Sequence, residues 1–214
     1  MFLISWQEWI LAGSGALLVI VYHIYLYLRV RRHPLSTSIG ITNHARKIWV
    51  EEIRKDRRDI LAVQTIRNQM MAATFLASTS IIISLGAFGA AFRPGTFQEV
   101  SHFLNFFGTK TESLWMFKLM LLGILFFYAF FNFTLSIRYY NHTGFMINTY
   151  AQNDSTVSDK AITQIINHGA LHYTIGMRGF YLSIPMALWM FGPIWMLCGS
   201  IAMVITLYRL DQEA

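Results

Sequence analysis

Apolar residues gather in four stretches, 9–28, 70–92, 114–137 and 180–207, each long enough for a helix to cross a bilayer. A helix rises about 1.5 Å per residue, so roughly 20 apolar residues span a hydrocarbon core about 30 Å thick. Between these runs the pattern changes to stripes. From residue 43 to residue 85 there is neither Pro nor Gly, and Trp49, Ile53, Ile60, Val63 and Ile66 recur at helical spacing. Pro34 and Gly40 precede this segment, with Thr42 and Asn43 as capping candidates. The pattern predicts one helix, kinked along its length, that rises into the second span.

The connection after the third span repeats this plan. Beyond a polar turn at 153–158, Ile162, Ile165, Ile166, Gly169 and Tyr173 share a face of residues 159–175. Between spans two and three, Thr96 and Glu99 fit a capping box, and Phe97, Val100, Phe103, Leu104 and Phe107 form a stripe suited to a short helix lying in the outer interface. The predicted fold is a single all-α membrane domain over 1–214. It is a four-helix bundle with long cytoplasmic helical extensions, 29–69 and 138–179, and a short outer interfacial helix.

Charge then orients the bundle. Of 17 Lys and Arg, ten lie in 29–69, whereas the connection between spans two and three carries only Arg93 and Lys110. Basic residues near helix ends stay on the cytosolic side, so both termini are expected outside the cytosol, with the chain multi-pass in a plasma (bacterial inner) membrane. The first span ends in Arg-rich sequence rather than at a small-residue cleavage site, and reads as an uncleaved anchor. A hydrophobic fraction of 55% with 13% charged residues is too apolar for an ordinary soluble domain. The net charge of +6 is accounted for by topology and by attraction to anionic lipid of the cytoplasmic leaflet, and no nucleic-acid motif accompanies it. The single Cys198 excludes an intramolecular disulfide.

Candidate chemistry is sparse. His168 and His172 stand four apart on one helix face, the spacing of a metal pair, and His142 could supply a third ligand only where helix ends converge. Interfacial histidines bonded to neighbours are the preferred reading, so no metal and no cofactor is expected. No acid falls within the four runs, and phosphate loops, nucleophile elbows and zinc-protease motifs are absent, which leans against an enzyme. The dipeptide Asn-His recurs at 43–44, 141–142 and 167–168 and reads as chance. A polar belt at the cytoplasmic helix ends is the better candidate: Arg67, Asn68, Arg138, Asn141 and Arg178. Guanidinium groups gathered there could hold a phosphate or carboxylate bidentately, against the plainer alternative of snorkelling side chains. Arg67, Arg138 and Arg178 are expected to face one another around a lipid phosphate or similar anion. Pro185 and the pair Gly192-Pro193 read as a simple kink in the fourth span.

The strings Tyr22-His23, Arg46-Lys47-Ile48-Trp49-Val50, Gln64-Thr65-Ile66-Arg67-Asn68, Arg138-Tyr139-Tyr140-Asn141-His142 and Gly176-Met177-Arg178-Gly179-Phe180-Tyr181 resemble domain of unknown function family 599. So do the run from Ser183 to Pro193 and the ending Leu207-Tyr208-Arg209-Leu210-Asp211. The resemblance implies a multi-pass membrane protein of the kind found in bacteria and plants, and carries over no substrate, cofactor or catalytic residue. Two functions remain. One is a non-enzymatic accessory or scaffold subunit packing through aromatic-rich helices against another membrane protein or itself, suggested by the aromatic run 126–133 and the lack of an intramembrane charge network. The other is binding or transport of an anionic lipid or metabolite through the cytoplasmic belt.

Overall fold

A computed structural model describes residues 6–93, 111–149 and 157–212. The expected capping box at Thr96 and the interfacial helix after it lie outside the described residues. Six helices are present among those described: α1 (Trp6–Arg32), α2 (Ser38–Asp56), α3 (Asp59–Ala91), α4 (Glu112–Met146), α5 (Asp159–Leu188) and α6 (Pro193–Gln212). α1, α3, α4 and α6 are long and apolar enough to cross a membrane.

Small residues set how closely the helices approach. The buried face of α3 is Ala62, Ile66, Ala73, Ala77, Ser80, Ser84, Ala87 and Ala91, a seam at alternating three-, four- and seven-residue steps. Between apolar helices in lipid there is little hydrophobic drive, so close backbone contact and buried hydroxyls supply the attraction. Ser84 Oγ accordingly donates to the carbonyl of Gly123 across α3 and α4 at 2.8 Å. α4 and α5 run antiparallel: Ser136 Oγ donates to the Gly169 carbonyl at 2.8 Å, Gly176 lies under the Phe133 ring, and Phe126 meets Phe180 edge-on at 5.3 Å.

The fourth apolar run departs from expectation. Residues 180–207 do not form one span; the chain reverses within them. α5 ends at Leu188, a 3₁₀ turn occupies Trp189–Phe191, and α6 begins at Pro193. Gly192 makes the reversal possible with φ 137°, a backbone conformation open to glycine but costly for other residues. Pro193 then opens the next helix, where its missing N–H is harmless. The two helices lie back to back, with Gly199 against Pro185 and Leu188. α6 runs alongside α1 in the same direction: Gly15 packs on Ser200, and Val19 and Tyr22 join Met203 and Leu207 in one cluster. The two ends of the described chain therefore lie at opposite ends of the bundle, and the expectation that both termini share one side is corrected.

Arg29, Arg31 and Arg32 mark the basic end. Here the expected continuous helix over 43–85 is two helices, broken at Arg57, which adopts the left-handed conformation at φ 51°. Thr37, rather than Thr42 or Asn43, caps α2 by accepting from Gly40 N at 3.3 Å. Gly40 is required there because a Cβ would collide with the Pro34 carbonyl. The helical projection has its own core of Val50, Ile53, Ala62, Ile66, Tyr140, Ile147, Ile162 and Ile166, drawn from α2, α3, α4, α5 and the residue after α4. Arg54 fastens it, donating to the Val157 carbonyl at 2.7 Å and pairing with Asp159 at 2.7 Å.

Candidate functional site

The most distinctive polar feature of the projection lies where α2 crosses the first half of α5. One Arg46 amino group donates to Asn43 Oδ1 at 2.6 Å and to Asn167 Oδ1 at 3.1 Å. Asn43 sits one turn before Arg46 on α2, and Asn167 faces both from α5. A cavity of about 280 Å³ opens beside them, lined by Thr42, Asn43, Arg46, Gln164, Asn167, His168 and Thr174 with walls of Ile39, Ala170 and Leu171. That size is near the lower edge of the roughly 300–1,000 Å³ typical of small-molecule sites.

Charge is the unusual quantity here. Arg46 is half-buried and takes no part in the ion pairs among the described residues. Its nearest cationic neighbours on α2 behave differently: Lys47 pairs with Glu51 and Arg54 with Asp159. Burial holds the Arg46 guanidinium below its ordinary value, with Tyr140 acting in the opposite direction. Two amide oxygens relieve part of the desolvation but none of the charge. Because both oxygens face Arg46, the two amide nitrogens remain as donors. The arrangement can hold an anion with one cation and two neutral donors. The signal available in the sequence was the Asn-His repeat: two of its three copies, at 43 and 167, meet on Arg46.

The expected belt is not gathered. Arg67, Asn68, Arg138 and Asn141 are exposed. Arg178 is bound within the chain: its amino group donates to both carboxylate oxygens of Asp211 at 2.7 and 2.8 Å, and Tyr22 Oη donates to the same carboxylate. Gly179 packs on Ala129, so Arg178 lies nearly nine residues, or about 13 Å, along α4 from Arg138. Three guanidiniums facing one another is thereby corrected: Asp211 supplies the compensation that an external anion was expected to give.

The expected lack of a charge network among the apolar helices is also corrected. At the end opposite the basic residues, Glu8 and Lys118 form an ion pair of 2.9 Å with side chains 0% and 3% exposed. Lys118 also donates to the Trp189 carbonyl at 3.0 Å, and Trp189 Nε1 donates to Glu8 at 3.1 Å. The pair pins α1, α4 and the α5–α6 turn together. Glu8 escaped the sequence reading because it lies just before the first apolar run, where α1 has already begun.

The histidines are placed as neighbours of aromatic rings. His168 and His172 both stack on Tyr139, with centroids 5.6 and 5.5 Å away, and His172 Nδ1 meets Asn132 Oδ1 at 3.0 Å. His142 is exposed. Among the described residues, no three His, Cys, Asp or Glu converge as a metal site would require.

No curated protein and no solved structure matches the chain. A protein family does match, from the first membrane helix through the Arg46 and Arg178 centres to residue 214. Over residues 10–214 the chain fits the model of "Protein of unknown function, DUF599", and it belongs to that family.

Proposed function

We propose that this integral membrane protein binds a small anion, carrying a phosphate or carboxylate group, at Arg46, Asn43 and Asn167 on the cytosolic side. The observation that carries the reading is a half-buried guanidinium whose partners are two amide oxygens. An incoming oxyanion would form charge-assisted hydrogen bonds and remove an uncompensated buried charge. The cytosolic placement rests on the ten basic residues of 29–69 at this end. Arg67 and Arg138, exposed at the same end, would contribute general attraction for anionic lipid rather than a defined seat. The scaffold reading loses one of its supports, since Glu8–Lys118 and Arg178–Asp211 supply the charge pairs it assumed missing. Its aromatic run is also divided: Phe126 and Phe133 are buried, while Phe127, Tyr128 and Phe131 face outward, as lipid contact alone would require.

The test is thermal unfolding of the purified protein in neutral detergent with inorganic phosphate, and in zwitterionic nanodiscs with and without phosphatidic acid. Phosphate at about 100 times its Kd should stabilise the native protein by about 2.7 kcal/mol. Arg46→Gln should abolish this. Asn167→Asp should stabilise the ligand-free protein by placing a carboxylate on Arg46, and should also remove the phosphate response. Stabilisation by phosphatidic acid alone would assign the anion to a lipid headgroup; stabilisation by free phosphate would assign it to a solute. Equal responses of native protein, Arg46→Gln and Asn167→Asp would refute the site.

A further inference from the structure

A second concavity lies deep in the bundle, away from Arg46. α1 and α4 are pinned at one end by Glu8–Lys118 and by Trp9 against Phe117, with ring centroids 6.4 Å apart. Further along, α1, α4, α5 and α6 surround a cleft of about 680 Å³. Its outer lip includes Ile20, Ile124 and Tyr128, each about half exposed, so it opens sideways onto the hydrocarbon rather than toward either end.

Two polar groups interrupt the apolar lining. Ser200 is fully buried and its hydroxyl has no partner. His23 is held in a defined state: its Nδ1 lies 2.8 Å from the Val19 carbonyl. A carbonyl only accepts, so Nδ1 carries the proton; set among apolar side chains with no carboxylate bonded to it, the ring stays neutral and Nε2 presents a lone pair. That Nε2 is buried without a partner. The His23 ring is fixed edge-on to Tyr22 at 5.6 Å, and Tyr22 is anchored to Asp211, which Arg178 neutralises. The site therefore offers an oriented acceptor, no net charge and a hydrocarbon-lined channel.

We propose that this cleft holds the chain of a membrane amphiphile whose neutral hydroxyl head donates a hydrogen bond to His23 Nε2. A charged head would find no counter-charge in the cleft lining, which holds no Asp, Glu, Lys or Arg, and an ether or hydrocarbon cannot satisfy an acceptor. The tail enters through the lip between α1 and α4 and lies against Met186. This site is independent of the Arg46 reading and stands or falls separately.

The experiment is photolabelling of the native protein in nanodiscs with a C18 alcohol bearing a mid-chain diazirine, and with the matched methyl ether as control. Peptide mapping should place the alcohol on α1 and α4 at the cleft, and the ether should label those peptides about five- to tenfold less, the worth of one hydrogen bond. His23→Leu should reduce alcohol labelling to the ether level. Ala16→Phe, which fills the cleft and leaves His23 in place, should suppress labelling by both probes. Retained alcohol preference in His23→Leu, equal labelling by alcohol and ether, or labels spread evenly over all lipid-facing helices would each overturn the proposal.

Discussion

Removing the Lys118 ammonium tests whether the buried pair, rather than hydrophobic contact alone, holds α1 to the rest of the bundle. Lys118→Met keeps the volume of the side chain but deletes two hydrogen bonds, to Glu8 at 2.9 Å and to the Trp189 carbonyl at 3.0 Å. Glu8, with its side chain fully buried, then loses its cation. Breaking a buried pair from one side costs about 3–5 kcal/mol, mostly because a charge is left uncompensated. Glu8→Gln added to Lys118→Met removes that charge, and its amide oxygen still accepts from Trp189 Nε1. The double variant should therefore be the more stable of the two, recovering about 2–3 kcal/mol and leaving a residual cost near that of one or two ordinary hydrogen bonds. Unfolding in mixed micelles, followed by tryptophan fluorescence over a detergent titration, gives the free energies. If Lys118→Met costs less than about 1 kcal/mol, or if Glu8→Gln adds a further loss, the electrostatic account of this end is wrong.

The reversal at Gly192 predicts sidedness: in a Cys198→Ser background, an impermeant maleimide should reach Gln7→Cys from one face and both Lys55→Cys and Gln212→Cys from the other. Labelling of Gln7→Cys and Gln212→Cys from the same face would restore a single fourth span. The break between α2 and α3 places Arg57 in left-handed backbone, so Arg57→Gly should stabilise the protein by about 1 kcal/mol in thermal unfolding. A loss of that size would mean the segment is continuous helix.

How much was legible in the sequence followed from what each signal measures. Apolar length located three spans well, because twenty hydrophobic residues have few other uses. The same measure failed at 180–207, where length cannot distinguish a span from two helix segments joined by a turn. Gly192-Pro193 carried the missing information, and only the positive φ at Gly192 turned a kink into a hairpin. Arg57 gave no warning, since an arginine carries no local signal for left-handed backbone; the break there lets Val50 and Ile53 of α2 share a core with Ala62 and Ile66 of α3. Among candidate residues, nearness to a span end said nothing of depth or of partners, so Arg178 was expected beside Arg67 and Arg138 rather than on Asp211. Arg46 entered only as one of the ten basic residues of 29–69 and within one of the resemblance strings. Its role depends on Asn167, more than one hundred positions away, which no local pattern connects to it.

Arg46 itself gives the most direct test of the central claim. The native protein in neutral detergent is treated with phenylglyoxal, and the modification rate of each arginine is followed by peptide mass spectrometry with and without inorganic phosphate. With phosphate at ten times its Kd, about one site in eleven is empty, so modification of Arg46 should slow about tenfold while exposed Arg67 and Arg138 react as before. An unchanged rate at Arg46, or equal slowing at all three, would contradict an anion seat at this pocket.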